Sequence, residues 1–370
     1  MAKEREWRTI MSTPSLQIAR EVGAALVRWW YEARGGTFLH RDGGKMAEKR
    51  LFDYAVGEQI HLHVLLKGVE RRVSKNGKQY LILTFADKSG EVIAMYWDPS
   101  SEDLTQLVPG AVVLLTGSLI NYQDNRQVRI TRLEPVTTGA YADPGLYMPT
   151  APEAPKEMAN EFKEYIEDIT DPDWQKIIYA LLHKYQKDFF TYPAAKKNHH
   201  AFVAGLAYHT LSILRLAKAV TQQYQHVNAS LLYAGAILHD LGKTLELSGP
   251  VGTEYTLAGN LLGHIVLVDE EIIKVCDETG IDTKKENIVL LRHMILAHHG
   301  LLEYGSPVRP HLLEADVLHQ LDELDASIQM VRSALEKTEP GEFSGRIFAK
   351  DNLKFYRPQN WSDQSEQQDE

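Results

Sequence analysis

Cysteine is almost absent from this 370-residue chain, since Cys276 is its only one. A single thiol excludes an intrachain disulfide and any zinc site built from several cysteines, and it favours a reducing compartment. Long apolar runs are also missing: none approaches the roughly 20 residues that span a bilayer, and charges interrupt the apolar stretches near the N-terminus. The sequence therefore predicts a cytoplasmic protein that does not enter a membrane.

The chain also lacks a glycine-rich phosphate-binding loop, so ATP-driven work is not indicated. Its formal net charge is −10, which argues against a protein that coats nucleic acid by bulk charge. The charge is unevenly placed. Residues 1–45 carry 8 basic and 5 acidic side chains, residues 46–136 carry 11 of each, and residues 137–370 carry 21 and 34. A local basic groove remains compatible with this balance.

Residues 57–136 contain five β-rich segments separated by turn sequences. The predicted strands are 58–69, 80–85, 91–97, 112–121 and 127–133. The Asn76-Gly77 pair supplies the positive φ values of a tight hairpin. Five short strands in about 80 residues suit a small closed barrel, and the OB-fold is the predicted form.

Barrels of this kind often bind single-stranded nucleic acid. Cations and aromatic side chains cluster around the first hairpin, where bases would stack on the rings and phosphates would meet the cations. The candidate contacts are Arg71, Arg72, Lys75, Lys78, Tyr80 and Tyr96. The alternatives are a plain solvated turn for the cations and a core position for the aromatics, which is where we expect Phe85, since it shares a face with Leu81 and Leu83.

Helical periodicity begins at about residue 160 and predicts further helices at 199–224, 228–240, 257–278, 284–299 and 311–336. The whole is predicted to be a multi-domain β plus all-α protein, a five-stranded OB-like barrel followed by an all-α domain. Residues 1–45 are interpreted either as an extension that the fold does not need or as a short amphipathic helix packing on the body. The other predicted divisions are a barrel over 46–136, a proline-rich linker over 137–158, a helical domain over 159–340, and a C-terminal segment with a polar tail over 341–370.

The adjacent pair His239-Asp240 follows an apolar run, with Lys243 three residues later. Such a pair arises by chance and is weak evidence alone. It gains weight because twelve of the fifteen histidines lie between His183 and His319. Neutral imidazole is the commonest nitrogen ligand of metals, so the pattern favours a metal site.

Other histidines and acids are spaced around this pair: His209 before it, then His264, His298 and His299, and finally an acidic cluster of Asp316, Asp322 and Asp325. This series resembles the HD-domain metal-dependent phosphohydrolase superfamily, an all-α fold with the pattern H…HD…D. The preceding barrel and several short motifs are more specific, and together they resemble the YhaM-type 3′→5′ exoribonucleases. Those motifs lie at residues 198–206, 239–243, 261–265, 298–300, 305–310 and 346–356.

The resemblance implies roles for individual residues. It implies His209, His239, Asp240 and Asp322 as core metal ligands, and His264, His298 and His299 as the extra ligands of HD proteins that hold two metals. Leu321 stands where the family has alanine, so Asp325 remains the alternative to Asp322. Lys243 would hold a substrate phosphate and act with Asp240 in catalysis, and Arg309 is a second phosphate-binding candidate.

A site of histidine and aspartate without thiolate suits a divalent ion such as Mn²⁺, Co²⁺, Mg²⁺ or Fe better than structural zinc. We expect two ions, with Mn²⁺ the leading choice, to bridge the scissile phosphate and stabilise the leaving 3′-oxygen. The implied function is hydrolysis of single-stranded RNA to nucleoside 5′-monophosphates. Single-stranded DNA is a second candidate substrate, because nothing in the residues distinguishes ribose from deoxyribose. Small binding modules gain affinity for a polymer when several copies are joined, and on this ground we expect a homo-oligomer.

Two other functions fit parts of the same pattern. The first is an HD phosphohydrolase that acts on free or cyclic nucleotides, with the barrel regulatory. The second is a non-catalytic scaffold in which the helical domain is silent and the barrel binds nucleic acid. Purely structural roles are the alternatives for single residues. One histidine of the adjacent pair His298-His299 would then only orient the other. Lys243 would complement a helix dipole, and Arg309 would stabilise its loop.

Overall fold

We describe a computed structural model of the chain over residues 49–122, 125–195 and 202–361. The predicted N-terminal extension, His199 and His200, and most of the polar tail lie outside these ranges. The described chain divides into two compact units. One contains the residues up to Pro152 together with Leu247–Tyr255, and the other contains Glu153–Glu246 and the residues from Thr256 onward.

The first unit is a closed five-stranded barrel with the strand order β1-β2-β3-β5-β4. Its strands are β1 (Gln59–Val73), β2 (Gln79–Asp87), β3 (Gly90–Trp97), β4 (Val112–Tyr122) and β5 (Asn125–Pro135). Neighbouring strands pair antiparallel except β3 and β5, which pair in parallel. Pairing of β1 with β4 closes the barrel, so the predicted fold class is confirmed for this half.

Alternation along the strands fills the barrel interior, because successive side chains of a strand point to opposite faces. On β2 the side chains of Leu81, Leu83 and Phe85 are no more than 1% exposed, as their shared face predicts. The short helix α1 (Asp103–Gln106) lies between β3 and β4. The segment Leu247–Tyr255 belongs to the barrel unit although it falls in the range predicted for the helical domain. Its Val251 packs on a small cluster around Leu65.

The second unit is helical. Its helices are α2 (Pro155–Glu167), α3 (Pro172–Phe189), α4 (Gly205–Gln223), α5 (Ala229–Leu238), α6 (Lys243–Glu246), α7 (Leu257–Thr279), α8 (Glu286–Ala297) and α9 (Leu313–Glu336). Several of them begin as their sequence dictates. Asp171 caps α3 with Pro172 in the first turn, and Asn228 and Thr256 cap α5 and α7 with side-chain oxygens.

Helix α5 forms the centre of the helical unit. Every residue from Ser230 to Leu238 is buried, which is the property of a helix surrounded by others rather than one with a solvent face. The His239-Asp240 pair follows directly, so it is carried into the interior. None of the helices in the described part is both long and apolar enough to span a membrane.

Candidate metal centre

The carboxylate of Asp240 is 1% exposed and lies at the centre of the histidine cluster. Its Oδ2 lies 3.5 Å from Nε2 of His209 and 3.4 Å from Nε2 of His239. Its Oδ1 lies 3.4 Å from Nε2 of His264 and 3.9 Å from Nε2 of His298. The two oxygens of one carboxylate therefore face two different pairs of imidazoles.

Five segments deliver these side chains. His209 is in α4, and the central pair follows α5. His264 is in α7 directly after Gly263, whose φ of 76° interrupts that helix. His298 caps the end of α8, and His299 comes next. Asp322 is in α9, with its Oδ1 3.1 Å from Nε2 of His209. Sequence positions more than a hundred residues apart thus converge.

Two groups of these side chains hold ligand atoms within 4.8 Å of one another. The groups are His209 with His239 and Asp240, and His264 with His298 and His299. Such spacing allows one cation to be shared by each group. The predicted core set and the predicted extra set are therefore separate neighbourhoods joined at Asp240.

The second nitrogen of each ring determines which atom is left for a metal. Nδ1 of His239 and Nδ1 of His298 each lie 2.7 Å from a backbone carbonyl, of Ala236 and Ile295 respectively. A carbonyl only accepts, so each Nδ1 carries the proton and each Nε2 presents a lone pair. Among the described residues these Nε2 atoms are buried and make no hydrogen bond, and the same holds for His264. This is the arrangement that a metal ligand requires.

Two carboxylates orient the remaining imidazoles. Oδ2 of Asp325 lies 2.7 Å from Nδ1 of His209, and Oε1 of Glu246 lies 3.1 Å from Nδ1 of His264. Both carboxylates contact the nitrogen that faces away from Asp240. Sequence reasoning weighed Asp325 only as an alternative ligand and missed Glu246. The available signal was helical spacing, because Asp325 is three residues after Asp322 and Glu246 three after Lys243.

Two glycines near the histidines, Gly242 and Gly300, permit close approaches that a side chain would block. A Cβ on Gly242 would lie 2.2 Å from the carbonyl oxygen of His264, and a Cβ on Gly300 would lie 2.4 Å from the ring of His319. Gly263 and Gly300 also have positive φ angles, which residues with a Cβ atom rarely adopt. Gly242 and Gly300 are therefore required sterically by the segments that carry the cluster, whereas Gly263 is required for its backbone conformation.

The electrostatics of the cluster favour a cation. Burial alone lowers the pKa of His209, but the adjacent carboxylates of Asp240, Asp322 and Asp325 outweigh it and hold that pKa well above 6.5. Burial raises the pKa of Asp240, yet Lys243 and the neighbouring imidazoles keep it well below its usual range. The carboxylates around His209 therefore attract positive charge, which a divalent ion would supply in place of a proton.

In the group of His264, His298 and His299 the environment favours neutral imidazoles. Burial lowers the pKa of His298 well below its ordinary value, and the adjacent imidazoles lower it further. Burial and His264 also lower the pKa of His299, whose Nδ1 lies 2.6 Å from the carbonyl oxygen of Tyr304. Both rings are held neutral, which is the form that binds a metal. The residues present fit divalent ions.

Lys243 lies at the more open edge of the cluster. Its Nζ is 2.7 Å from Oδ2 of Asp240, and its side chain is 13% exposed. Asp322 has a side-chain exposure of 18%, whereas His209 and Asp240 have 0% and 1%. An approaching anion would therefore meet Lys243 and Asp322 first.

Arg309 makes no described contact with this centre. Its side chain is exposed in the loop before α9, and among the described residues no hydrogen bond or ion pair joins it to the cluster. Cys276 is fully buried and free, as expected of a core residue.

The candidate nucleic-acid contacts lie on the barrel with different surroundings. The Tyr80 ring stacks on Trp97 at 4.7 Å between centroids, and Trp97 is 51% exposed. Tyr96 instead packs against the barrel core and donates a hydrogen bond to Asp103 at 3.2 Å. Its ring is therefore directed to the interior, where alternation along β3 places it.

The candidate cations of the barrel also differ from one another. The Arg71 guanidinium donates to the carbonyl of Leu104 at 2.9 Å. Arg72 and Lys78 pair with Glu70 and Asp98 at 2.7 and 3.2 Å. Lys75 is exposed, and no ion pair involves it among the described residues. Lys75 is thus the cation of this group that is most available to a phosphate.

Comparison with known proteins supports the folds of both units. An OB-fold nucleic acid binding domain model matches residues 64–136, and an HD domain model matches residues 206–327. A protein of Listeria welshimeri named 3′-5′ exoribonuclease YhaM is 48% identical over 311 residues, which cover 84% of this chain and 99% of that protein. The chain belongs to the YhaM family.

Other members give the same result. A Listeria monocytogenes protein of the same name is 47% identical over 311 residues, and one from Geobacillus sp. is 46% identical over 310 residues, covering 84% of this chain and 95% of the relative. The family predicted from the sequence motifs is confirmed, as is the barrel followed by an all-α HD domain. The HD domain and its histidine–aspartate cluster together indicate a divalent-metal-dependent hydrolase.

Proposed function

We propose that this protein is a metal-dependent 3′→5′ exoribonuclease that releases nucleoside 5′-monophosphates from single-stranded RNA. The observation that carries the proposal is the convergence of five imidazoles and two carboxylates on one buried centre, divided by Asp240 into two neighbourhoods. Membership of a family whose curated members are named 3′-5′ exoribonucleases supports the same activity.

We propose two divalent ions, with Mn²⁺ the leading choice and Co²⁺, Mg²⁺ or Fe as alternatives. One would be held by His209, His239, Asp240 and Asp322, and the other by His264, His298, His299 and the second oxygen of Asp240. When bound, the ions would polarise the phosphate and lower the pKa of water. Mixed imidazole and carboxylate ligands suit this group of metals.

The chain's own side chains have distinct tasks in this proposal. Asp240 is the shared ligand and holds Lys243, whose ammonium binds a non-bridging phosphate oxygen as a point charge. Asp325 and Glu246 hold the rings of His209 and His264 in place. Water attacks phosphorus and the 3′-oxygen of the penultimate nucleotide leaves, so the phosphate stays on the released terminal nucleotide. Arg309 is kept as a weaker candidate for phosphate binding.

The barrel is proposed to bind the single strand. The exposed Trp97 ring stacked on Tyr80 offers a surface for a base, and Lys75, Arg71, Arg72 and Lys78 lie on or beside the same hairpin. Stacking of this kind is worth roughly 1–3 kcal/mol per base. We also propose that the protein is a homo-oligomer of the cytoplasm, which sedimentation and cell fractionation would test.

The divisions of the chain remain part of the proposal. Residues 1–45 are proposed to be dispensable, with the barrel over 46–136, a linker over 137–158 and the HD domain over 159–340. A chain that begins at Met46 should keep its fold and its hydrolytic activity. A shortened chain that fails to fold would overturn the first of these assignments.

The decisive experiment uses a single-stranded RNA labelled at its 5′ end, with Mn²⁺ present and a chelator as the negative control. We expect a ladder that shortens from the 3′ end, with nucleoside 5′-monophosphates as product, and no ladder from Asp240→Asn. A DNA strand of the same sequence measures the preference for ribose. Turnover of mononucleotides or cyclic dinucleotides without a ladder would favour the free-nucleotide alternative, and RNA binding without any turnover would favour the scaffold.

A further inference from the structure

A small antiparallel hairpin follows α9, and we call it the C-terminal ribbon (residues 341–357). Its backbone is well paired: Gly341 N donates to Arg357 O at 2.8 Å, and Ile347 N donates to Leu353 O at 2.9 Å. At its tip Asp351 and Asn352 adopt φ values of 51° and 60°. Aspartate and asparagine tolerate this conformation better than other residues with side chains. The ribbon is therefore a folded element.

The two faces of the ribbon differ in burial. Ser344 is 2% exposed, and Arg357 donates to the carbonyl of Thr338 at 2.6 Å, so this face contacts the residue two positions beyond the end of α9. Phe343 and Tyr356 alternate with these residues and are 64% and 47% exposed. Their rings contact each other at 5.3 Å between centroids. The outer face thus presents a pair of aromatic rings to solvent.

The tip adds a third ring. Phe348 is 86% exposed, more than any other large apolar side chain in the described part of the chain. Exposed aromatics that adjoin one another are unusual on a protein surface and mark interaction sites. The ribbon therefore has an apolar surface without a described partner, and the remaining question is what covers it.

The charges on the ribbon answer that question. Arg346, Lys350 and Lys354 form no side-chain hydrogen bond or ion pair among the described residues. With Arg357 they oppose only two acids in the ribbon, Glu342 and Asp351. The surrounding stretch 137–370 is strongly acidic, with 21 basic and 34 acidic side chains. Cations interleaved with exposed rings match a strand that carries both phosphates and unstacked bases.

We propose that the C-terminal ribbon binds the single-stranded RNA substrate upstream of the nucleotide being removed. Bases stack on Phe348 and on the Phe343–Tyr356 pair, while Arg346, Lys350 and Lys354 contact phosphates. The inference rests on the proposed exoribonuclease function, and it adds a binding surface in the HD unit that is separate from the barrel.

Its position makes the contribution dependent on substrate length. The ribbon follows the end of α9, and the helix extends 14 residues beyond Asp322 to Glu336, about 21 Å at 1.5 Å per residue. At the roughly 3.4 Å rise of a stacked strand, about six nucleotides cover that distance. We therefore expect a dinucleotide bound at the metal centre to be too short to reach the ribbon.

The test compares Phe348→Ala with Tyr224→Ala, an exposed aromatic of the same unit outside the ribbon. Kinetics are measured on a dinucleotide and on an RNA several times longer than six nucleotides. We expect Phe348→Ala to raise KM for the long RNA about tenfold, with kcat and the dinucleotide kinetics unchanged, because one stacking contact is lost. Tyr224→Ala should match the wild type. Lys350→Ala with Lys354→Ala should lower the salt slope of RNA binding by about two.

Several results would overturn the inference. Equal KM values for the wild type and Phe348→Ala on long RNA would remove the ribbon from the substrate path. A change of oligomeric state in Phe348→Ala without a change in RNA affinity would identify the ribbon as a contact between copies. Failure of the proposed function is distinguishable, since the wild type would then hydrolyse no RNA, and anisotropy measurements of RNA binding would still test the ribbon.

Discussion

Oδ2 of Asp325 lies 2.7 Å from Nδ1 of His209, on the side of the ring that faces away from the metal centre. Asp322 lies on the other side, with its Oδ1 3.1 Å from Nε2 of the same ring. One imidazole thus separates two carboxylates of α9 that are three residues apart. The geometry favours Asp322 as the ligand and Asp325 as the residue that orients the ring.

Asp325→Asn should weaken metal binding while leaving the ligand set intact. The amide keeps the shape but loses the charge that holds the His209 ring, and loss of such a partner typically costs 10–100-fold in metal affinity or activity. We expect activity to recover at high Mn²⁺ concentration. Metal titrations followed by RNA hydrolysis measure this, with Asp316→Asn as a control because Asp316 is exposed on the same helix.

Asp322→Asn should behave differently, because a ligand is lost. Added metal should not restore its activity. If Asp325→Asn were inactive at every metal concentration and Asp322→Asn were rescued, the two roles would be exchanged.

Gly242→Ala should disturb the site through backbone contact alone. Its Cβ would lie 2.2 Å from the carbonyl oxygen of His264, and a backbone atom has little room to move. We expect a loss of stability of about 1–3 kcal/mol, as for other overpacked interiors, and fewer bound metal ions per chain. Elemental analysis after dialysis measures the metal content. Gly345→Ala is the control, since a Cβ there meets nothing within 4 Å, and unchanged metal content in Gly242→Ala would contradict the steric argument.

Glu271 should make stability depend on pH in a known direction. It is 5% exposed, and Tyr185 and Lys274 donate to its carboxylate at 2.7 and 2.9 Å. Burial raises its pKa, but hydrogen bonds from Lys184, Lys274 and Tyr185 outweigh this and hold it below 4.5. The stabilising contribution is therefore fully present above pH 4.5 and is lost as the pH falls through the lower, folded-state pKa.

Glu271→Gln tests this directly. Replacing the charged acceptor should lower the free energy of unfolding by about 1.5–3 kcal/mol near neutral pH, as for hydrogen bonds to charged groups. The difference from the wild type should shrink as the pH falls below 4.5, which urea unfolding at several pH values would measure. The adjacent Glu270→Gln is the control, since Glu270 is exposed and its ammonium partner is 3.8 Å away. A pH-independent difference would refute the assignment.

The barrel offers a pair of variants that separate stacking from charge. Trp97→Ala removes an exposed ring and should weaken RNA binding by roughly 1–3 kcal/mol without changing its salt dependence. Lys75→Ala should weaken binding less and lower the salt slope by about one, because one phosphate contact is lost. Fluorescence anisotropy over a range of salt concentrations measures both. Identical salt slopes for Lys75→Ala and the wild type would exclude Lys75 from phosphate contact.

Local sequence predicted the elements well because the signals are local. Alternation gave the strands of the barrel, and Asn76-Gly77 gave its first hairpin, since strand period and turn chemistry depend on near neighbours. Alternation put Tyr96 and Trp97 on opposite faces of β3, but by itself it could not tell which of the two faces is interior. Which face of β3 is interior depends on barrel closure, a contact between strands far apart in sequence.

For the metal centre, residue types alone determined the class of chemistry, since imidazoles and carboxylates without thiolates suit hard or borderline divalent ions. Only the tertiary structure decided which residues lie at ligand positions and which orient the ligands. It placed Asp240 between two groups of imidazoles and put Glu246 and Asp325 behind two of the rings. Those distinctions are distances of a few ångströms between separate helices, and helix packing, not spacing along the chain, sets such distances.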